Sequence, residues 1–156
     1  MNAFKYIVSA LGALALVYLG TVFSACRAIV YVDPASALIA LGVPLLLLKA
    51  GWSFKGMGAA FRNALSDSAG GAELEDARLF FATAFRYLMA TGPMAFLLGL
   101  IAILGNLADK ARLGPNLAVA LISMFYAVLT ALLVCLPLEA AAKRRLGKVG
   151  SPGYRM

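Results

Sequence analysis

Four long runs without a charged residue divide this chain, and they constrain its fold more than any other feature. A transmembrane helix needs about 20 apolar residues to cross about 30 Å of hydrocarbon. Three of the runs meet that length, and the second meets it if Lys49 extends its ammonium to the headgroups while the helix continues to Trp52. The sequence therefore predicts an all-α integral membrane protein with four transmembrane helices. The runs are residues 6–26, 34–48, 87–108 and 113–138.

The composition agrees with a membrane protein and excludes several other classes. Apolar residues make up 63% of the chain and charged residues 13%, whereas soluble domains are about 45–50% apolar and about 25% charged. We therefore exclude a nucleic-acid-binding domain, a disulfide scaffold and a disordered chain, and we expect the lipid bilayer to be the main partner. The net charge of +7 is first interpreted as membrane topology.

The positive charges predict how the helices are oriented. If both termini are cytoplasmic, eleven of the 14 lysine and arginine residues lie inside, and the positive-inside rule favours that N-in, C-in topology. The predicted segments are transmembrane helix 1 at 1–30, helix 2 at 33–54, a short cytoplasmic helical segment at 55–86, helix 3 at 87–107, helix 4 at 115–138, and a basic cytoplasmic tail at 139–156.

The N-terminus has an alternative interpretation. Lys5, the following apolar run and Cys26 resemble a secretory signal with a lipoprotein-type cysteine. The apolar run is longer than the 7–15 residues of a usual signal core. We therefore expect this run to be a retained transmembrane helix.

Short sequence signals predict where the loops and helix ends lie. Asp33-Pro34 is typical of a helix start, with Asp as the N-cap and Pro as the first helical residue. Gly114-Pro115 predicts the turn between the third and fourth spans. Apolar residues recur at helical spacing after the second span and predict a small amphipathic helix; they are Phe54, Met57, Phe61 and Leu65.

The third span is predicted to extend well beyond the membrane. A Ser- and Gly-rich stretch at 66–71 ends the amphipathic helix, and acidic residues at 73–76 favour the N-terminus of the next one. From there to residue 106 only Gly92-Pro93 interrupts the pattern, and such a kink is tolerated in a membrane. A helix of roughly 34 residues is about 50 Å long, so about 20 Å of it projects into the cytoplasm.

The search for catalytic chemistry is largely negative. The chain has no histidine, no Cys/His cluster, and none of the glycine-rich or nucleophile motifs of nucleotide-binding proteins and hydrolases. We therefore expect neither an enzyme nor a cofactor or metal. The seven acidic residues all fall in loops or near helix ends. Ion-translocating proteins usually carry a carboxylate inside the membrane, so if this chain moves ions, a partner must supply the carboxylate.

A few polar residues interrupt the apolar spans. Ser123, Tyr126 and Thr130 are spaced i, i+3 and i+7, so they share one face of the fourth helix, and Thr91 lies in the third. Two interpretations stay open: hydrogen bonds between helices, or a polar stripe that lines a pore or a partner helix. Small residues suggest close helix packing; they are Gly12, Gly20, Gly42, Gly92, Gly99 and Gly105.

Two segments resemble a known family. Residues 31–42 resemble the start of the second span of MotA flagellar stator proteins. Residues 103–138 resemble the hairpin of the third and fourth spans in the MotA/TolQ/ExbB proton-channel family, through their Leu-Gly-Pro turn, the Ala-Val-Ala-Leu helix entry, Tyr126 and Leu136-Pro137. The four-span plan is that of the MotA branch, because TolQ and ExbB have three spans.

The resemblance implies a motor subunit of the bacterial inner membrane. Such proteins form homopentamers around two copies of a single-span partner of the MotB/ExbD/TolR type, which carries a membrane aspartate. Proton motive force then drives mechanical work at the cell envelope.

The resemblance also implies roles for individual residues. It places Ser123, with Tyr126, Thr130 and Thr91, on the ion pathway facing the partner. Pro93 and Pro137 are then expected to shape the helices. We expect three charged residues at the cytoplasmic mouth or in contact with a partner: Glu139, Arg62 and Arg78. For Arg62 and Arg78 a solvated helix face is the favoured interpretation.

Three departures from the family leave a second function open. Ala95-Phe96 stands where the family has Gly-Thr, and Met124 replaces a second hydroxyl, which argues against sodium as the ion. The cytoplasmic insert at 51–86 is also much shorter than in flagellar stators. The alternative is a non-conducting membrane scaffold of the same fold. A membrane enzyme is disfavoured, because no nucleophile, base and orienting group converge.

Overall fold

The computed structural model describes residues 3–23, 31–66, 68–105, 107 and 110–149, and within these ranges every long element is a helix. Four of the helices are long and apolar enough to cross a membrane, which confirms the predicted all-α fold. Cys26, with the rest of residues 24–30, and the end of the basic tail at 150–156 lie outside the described residues. The helices are α1 (Ala3–Phe23), α2 (Pro34–Gly51), α3 (Phe54–Leu65), α4 (Gly71–Leu104) and α5 (110–149).

Local capping determines where α2 and α3 begin. The Asp33 carboxylate accepts a hydrogen bond from the Ser36 N–H at 2.7 Å, and Pro34 is the first helical residue, which confirms the predicted helix start. Ser53 caps α3 in the same manner, because its Oγ accepts from the Gly56 N–H at 3.1 Å. The bounds of α3 confirm the predicted small helix after the second span.

Helix α4, the third of the membrane helices, is one unbroken element of 34 residues, about 51 Å long at 1.5 Å per residue. The Glu73 carboxylate accepts from the Gly70 N–H at 3.0 Å and so fixes the N-terminus. Pro93 lies inside the helix without ending it. The long third membrane helix that the sequence predicts is therefore confirmed.

The turn predicted at Gly114-Pro115 is wrong, because α5 begins at Lys110 and continues through both residues. Proline fixes φ near the helical value, and at this position its missing N–H removes only the bond to the Ala111 carbonyl. At its other end α5 runs to Val149, so the first part of the basic tail continues the membrane helix.

Two wider, π-helical turns interrupt the membrane helices, at Leu38–Gly42 in α2 and at Ala131–Cys135 in α5. A proline follows each turn after one intervening residue, Pro44 in α2 and Pro137 in α5. A proline ring clashes with the carbonyl four residues earlier and donates no hydrogen bond to it. We attribute both π-turns to this clash, since the wider turn moves that carbonyl away from the ring.

The tightest helix pair is α4 with α5, and small residues allow it. A Cβ on Gly92 would lie 2.8 Å from the Cβ of Ala127, and one on Gly99 would lie 2.5 Å from the Cβ of Ala120. Both distances are shorter than a normal carbon–carbon contact of about 3.5–4.0 Å. The close packing predicted from the small residues is therefore confirmed at these two glycines.

The hydrophobic core lies at the end of the bundle where α3 packs on α4 and α5. Phe80 and Phe81 are buried there, and the rings of Trp52 and Phe61 meet them edge to face at centroid distances of 5.0–6.1 Å. The Trp52 indole N–H also donates to the Asp76 carboxylate at 3.0 Å. These contacts hold the amphipathic helix against the long helices.

The first helix, in contrast, packs loosely. None of the residues from Tyr6 to Phe23 is buried, and a Cβ on Gly12 would meet nothing within 4 Å. Two cavities of about 320 and 270 Å³ separate α1 from α5. Most of the surface of α1 therefore faces lipid or another chain.

Candidate functional site

A tyrosine on α5 is hydrogen-bonded to the backbone just before α2. The Tyr126 hydroxyl donates to the Tyr31 carbonyl and accepts from the Asp33 backbone N–H at 3.0 Å. The Asp33 carboxylate is in turn the N-cap of α2. One side chain in the fourth membrane helix thus satisfies two backbone groups of the segment before the second helix, where no intrahelical partner exists.

Two serines meet at one backbone carbonyl nearby. The hydroxyls of Ser36 on α2 and Ser123 on α5 both donate to the Val119 carbonyl, at 3.0 and 3.1 Å. Both serines are buried, with 1% and 3% of their surface exposed. Buried hydroxyls without partners are costly in an apolar medium, so this shared acceptor stabilises the contact between α2 and α5.

These side chains and the backbone groups they bond form one set, which we call the α2–α5 polar cluster. The sequence analysis left open whether the polar positions of the fourth helix bond to other helices or line a pathway. In the structure the Tyr126 hydroxyl bonds the segment before α2, which favours the first interpretation at that position. The Ser123 hydroxyl donates within its own helix to the Val119 carbonyl, which Ser36 of α2 also reaches. The cluster consists of Tyr31, Asp33, Ser36, Ser123 and Tyr126.

The two threonines of the predicted site lie apart from this cluster. Thr91 is 4% exposed and precedes Gly92, which contacts Ala127 of α5. Thr130 lines a largely apolar cavity of about 170 Å³, together with side chains from α2, α3 and α4. Of the four residues that the sequence assigned to the ion pathway, the structure joins only Ser123 and Tyr126 in one hydrogen-bonded group.

The opposite face of α5 is exposed and apolar. Leu121, Met124 and Val128 have 52%, 38% and 43% of their surface exposed, and their spacing of three and four residues puts them on one face. Ser123, next to Met124 in sequence, is turned into the chain. Any partner helix that approaches this face of α5 therefore meets thioether and hydrocarbon rather than a hydroxyl.

The two prolines of the predicted site have different surroundings. Pro93 is exposed on α4. Pro137 has no N–H to donate to the Leu133 carbonyl, and the Tyr6 hydroxyl of α1 donates to that carbonyl at 2.7 Å. This hydrogen bond joins the loosely packed first helix to the proline-distorted part of α5.

The predicted charged residues lie near the other end of the long helices. Arg78 donates to both oxygens of Glu75, at 2.6 and 3.2 Å, and this pairing lowers the pKa of Glu75. The same hydrogen bonds and charge raise the pKa of Arg78, and the carboxylate of Glu139 adds to the rise. Arg62 is exposed in the last turn of α3. Arg78 and Glu139 thus interact electrostatically across α4 and α5.

The sequence alone assigns no role to Ser36 or Tyr6, although signals for both exist. A serine three residues after an N-cap Asp, in an otherwise apolar helix, needs a partner for its hydroxyl. A proline inside a predicted helix leaves the carbonyl four residues earlier without its donor, which points to a hydroxyl on a neighbouring helix.

Comparisons with known proteins identify relatives of the second half of this architecture. The sequence profile of the MotA/TolQ/ExbB proton channel family matches residues 48–150, about two thirds of the chain. Motility protein A of Borreliella burgdorferi is 46% identical to this chain over 50 residues. That match covers 32% of this chain and 19% of Motility protein A, so the chain aligns with less than a fifth of that relative.

Proposed function

Because the chain belongs to the MotA/TolQ/ExbB proton channel family, we propose that it is the ring-forming subunit of a proton-driven membrane motor. Five copies surround two single-span partners of the MotB/ExbD/TolR type in the bacterial inner membrane. Proton motive force turns the ring about the partner pair and performs mechanical work at the cell envelope. The similarity to Motility protein A favours a stator-like arrangement.

The distribution of acidic residues is the observation that carries this proposal. Each of the seven acidic residues lies before α2, between helices, in the first two turns of α4, or at position 139 of α5. The apolar length of each membrane helix contains no carboxylate. Proton transfer through a membrane protein needs a protonatable group at depth, so the partner has to bring one.

The exposed face of α5 is our candidate for contact with that partner. Leu121, Met124 and Val128 present a continuous apolar surface, which suits a single apolar helix that carries one aspartate. Proton transfer fits this surface better than sodium transfer, because a sodium ion requires several oxygen ligands.

In this arrangement the residues predicted for the ion pathway do not contact the partner directly but support the exposed face of α5. We propose that Ser123 and Tyr126 fix the position of α5 against α2, while Thr91 and Thr130 shape the wall of the pathway farther along the helices. Pro137 and Pro93 set the local course of α5 and α4. Arg62, Arg78 and Glu139 form the cytoplasmic end and are available to a soluble partner.

A non-conducting scaffold of the same fold is the second candidate. Phe96 and Met124 stand at positions where family members carry hydroxyl groups, so the pathway wall has lost polarity. A scaffold with this fold would assemble the same ring but would pass no protons.

The decisive experiment combines stoichiometry with flux. Native mass spectrometry of the complex from its own membranes should give five copies of this chain with two copies of a single-span, aspartate-bearing protein. Proteoliposomes that contain the complex should then acidify when a proton gradient is applied. Any stoichiometry other than five to two contradicts the motor, and a five-to-two complex without flux supports the scaffold.

Three variants test the assignment of the partner-facing surface and of the serine behind it. Met124→Trp adds bulk to the exposed face of α5 and should lower proton flux at least tenfold in the intact complex. Leu16→Trp adds the same bulk to α1, where Leu16 is 71% exposed, and should leave flux unchanged. Ser123→Val should lower flux without abolishing it. Equal flux in the two tryptophan variants would refute the assigned surface.

A further inference from the structure

An unfilled apolar cavity lies between four helices at the corner where α2 meets α3. Its volume is about 170 Å³, and it is lined largely by leucine and phenylalanine side chains, with Leu48, Phe80 and Ala84 at its base. An apolar cavity of about 150 Å³ stays dry and takes up benzene. This cavity therefore has room for a hydrocarbon segment of about six carbon atoms.

The mouth of the cavity opens where the membrane-spanning helix α2 meets the short helix α3. Leu45 of α2 and Phe61 of α3 line it, and 55% and 42% of their surfaces are exposed. Leu45 lies within the membrane-spanning helix α2. Hydrocarbon of the bilayer can therefore reach the cavity directly from the side.

A lysine stands at the edge of this mouth. Lys49 follows Leu45 by four residues, so it lies on the same face of α2, about 6 Å farther along the helix axis. Its ammonium lies 5.0 Å from the centroid of the Phe54 ring, a cation–π distance that holds the charge near the start of α3. Within the described part of the chain Lys49 forms no ion pair, so its charge is available to an external anion.

The position of Lys49 in the membrane and its positive charge together indicate which ligand the cavity binds. The positive-inside rule puts Lys49 at the cytoplasmic leaflet, which is rich in anionic lipids, and each basic residue near such a surface contributes about 1 kcal/mol. A phospholipid has both parts that this site requires: a hydrocarbon chain for the cavity and a negative phosphate that can reach Lys49. We propose that the cavity binds part of one acyl chain of an anionic phospholipid, and that Lys49 holds its phosphate.

Lipid binding to the purified, assembled protein tests this site. Native mass spectrometry should show phosphatidylglycerol binding about fivefold more tightly than phosphatidylcholine with the same chains. Lys49→Gln should abolish this preference. The control Lys148→Gln removes the same charge from an exposed position about 20 Å along α5 from the cavity, and it should keep the preference. Equal affinities for the two lipids, or equal effects of the two substitutions, would overturn the proposal.

The chain part of the site has its own tests. Leu45→Trp covers the mouth and should weaken binding of both lipids at least tenfold; unchanged binding in a folded Leu45→Trp protein would overturn the proposal. A second measurement needs no substitution. Trp52 is the only tryptophan and its ring packs on Phe80, which lines the cavity. Brominated chains of phosphatidylglycerol should therefore quench its fluorescence more than those of phosphatidylcholine at equal mole fraction, and equal quenching would contradict the site.

Discussion

Gly92→Ala should weaken the α4–α5 pair by an amount that the structure defines. The new Cβ would lie 2.8 Å from the Cβ of Ala127, while the next atoms, both of Met124, lie at 3.8 Å. A normal carbon contact is about 3.5–4.0 Å, so the helices must separate by roughly 0.7–1.2 Å. A gap of that size forfeits about a quarter to a half of each neighbouring contact.

The expected net cost follows from two opposing effects. Overpacking of this kind costs about 1–3 kcal/mol, and alanine regains about 0.5–1 kcal/mol over glycine inside a helix. We therefore expect a net loss of about 1 kcal/mol in the free energy of unfolding, within a range of about 0–2.5 kcal/mol. Denaturation of the detergent-solubilised protein, followed by circular dichroism and by Trp52 fluorescence, measures this change.

An exchange of the two side chains makes the test specific. In the double variant Gly92→Ala with Ala127→Gly, the only close contact is removed, so stability should return to within about 0.5 kcal/mol of the unaltered protein. Gly12→Ala is the matched control, because a Cβ there meets nothing within 4 Å, and it should raise stability by about 0.5–1 kcal/mol. A Gly92→Ala protein as stable as Gly12→Ala, or one that Ala127→Gly fails to rescue, would refute the reasoning.

Three further predictions each remove one hydrogen-bonding side chain. Tyr126→Phe removes the hydroxyl that joins two backbone groups before α2 and should cost about 1–3 kcal/mol, seen as faster hydrogen exchange at 31–37; unchanged exchange would contradict it. Tyr6→Phe leaves the Leu133 carbonyl without its donor and should cost about 1 kcal/mol, but much less in a Pro137→Ala background that restores the N–H; equal costs in both backgrounds would contradict this coupling. Arg145→Gln removes the donor to the carbonyl of Ser66, the residue directly after α3, and should speed proteolysis in the segment after α3. Equal cleavage rates in the two proteins would argue against this role of Arg145.

Helix starts that depend on local chemistry could be predicted from the sequence. Asp33-Pro34 identifies the start of α2 because the carboxylate, the ring and the free N–H groups are all within four residues. Gly114-Pro115 has the same kind of signal but lies inside α5. The difference is that a proline early in a helix is compatible with both a turn and a helical first segment, and only packing against α4 decides between them.

The partners of the polar side chains could be predicted only in part. The spacing of Ser123 and Tyr126 shows that they share a face, but it does not say which helix lies opposite. Their partners, the backbone at Val119, Tyr31 and Asp33, include groups more than 90 residues away in sequence for Tyr126. No local pattern identifies a backbone acceptor on a distant segment.

The rotation of α5 about its own axis is the hardest feature to predict, and the proposed function depends on it. In water, hydrophobicity identifies the buried face, but in a membrane both faces are apolar, so small residues mark the packed face instead. On α5 these are Ala120, Ala127 and Ala131, all buried, with Ser123 among them. That spacing turns Met124 outward. In the proposed ring, Met124 therefore presents a thioether to the partner where the resemblance places a family hydroxyl, and the partner must supply the protonatable group.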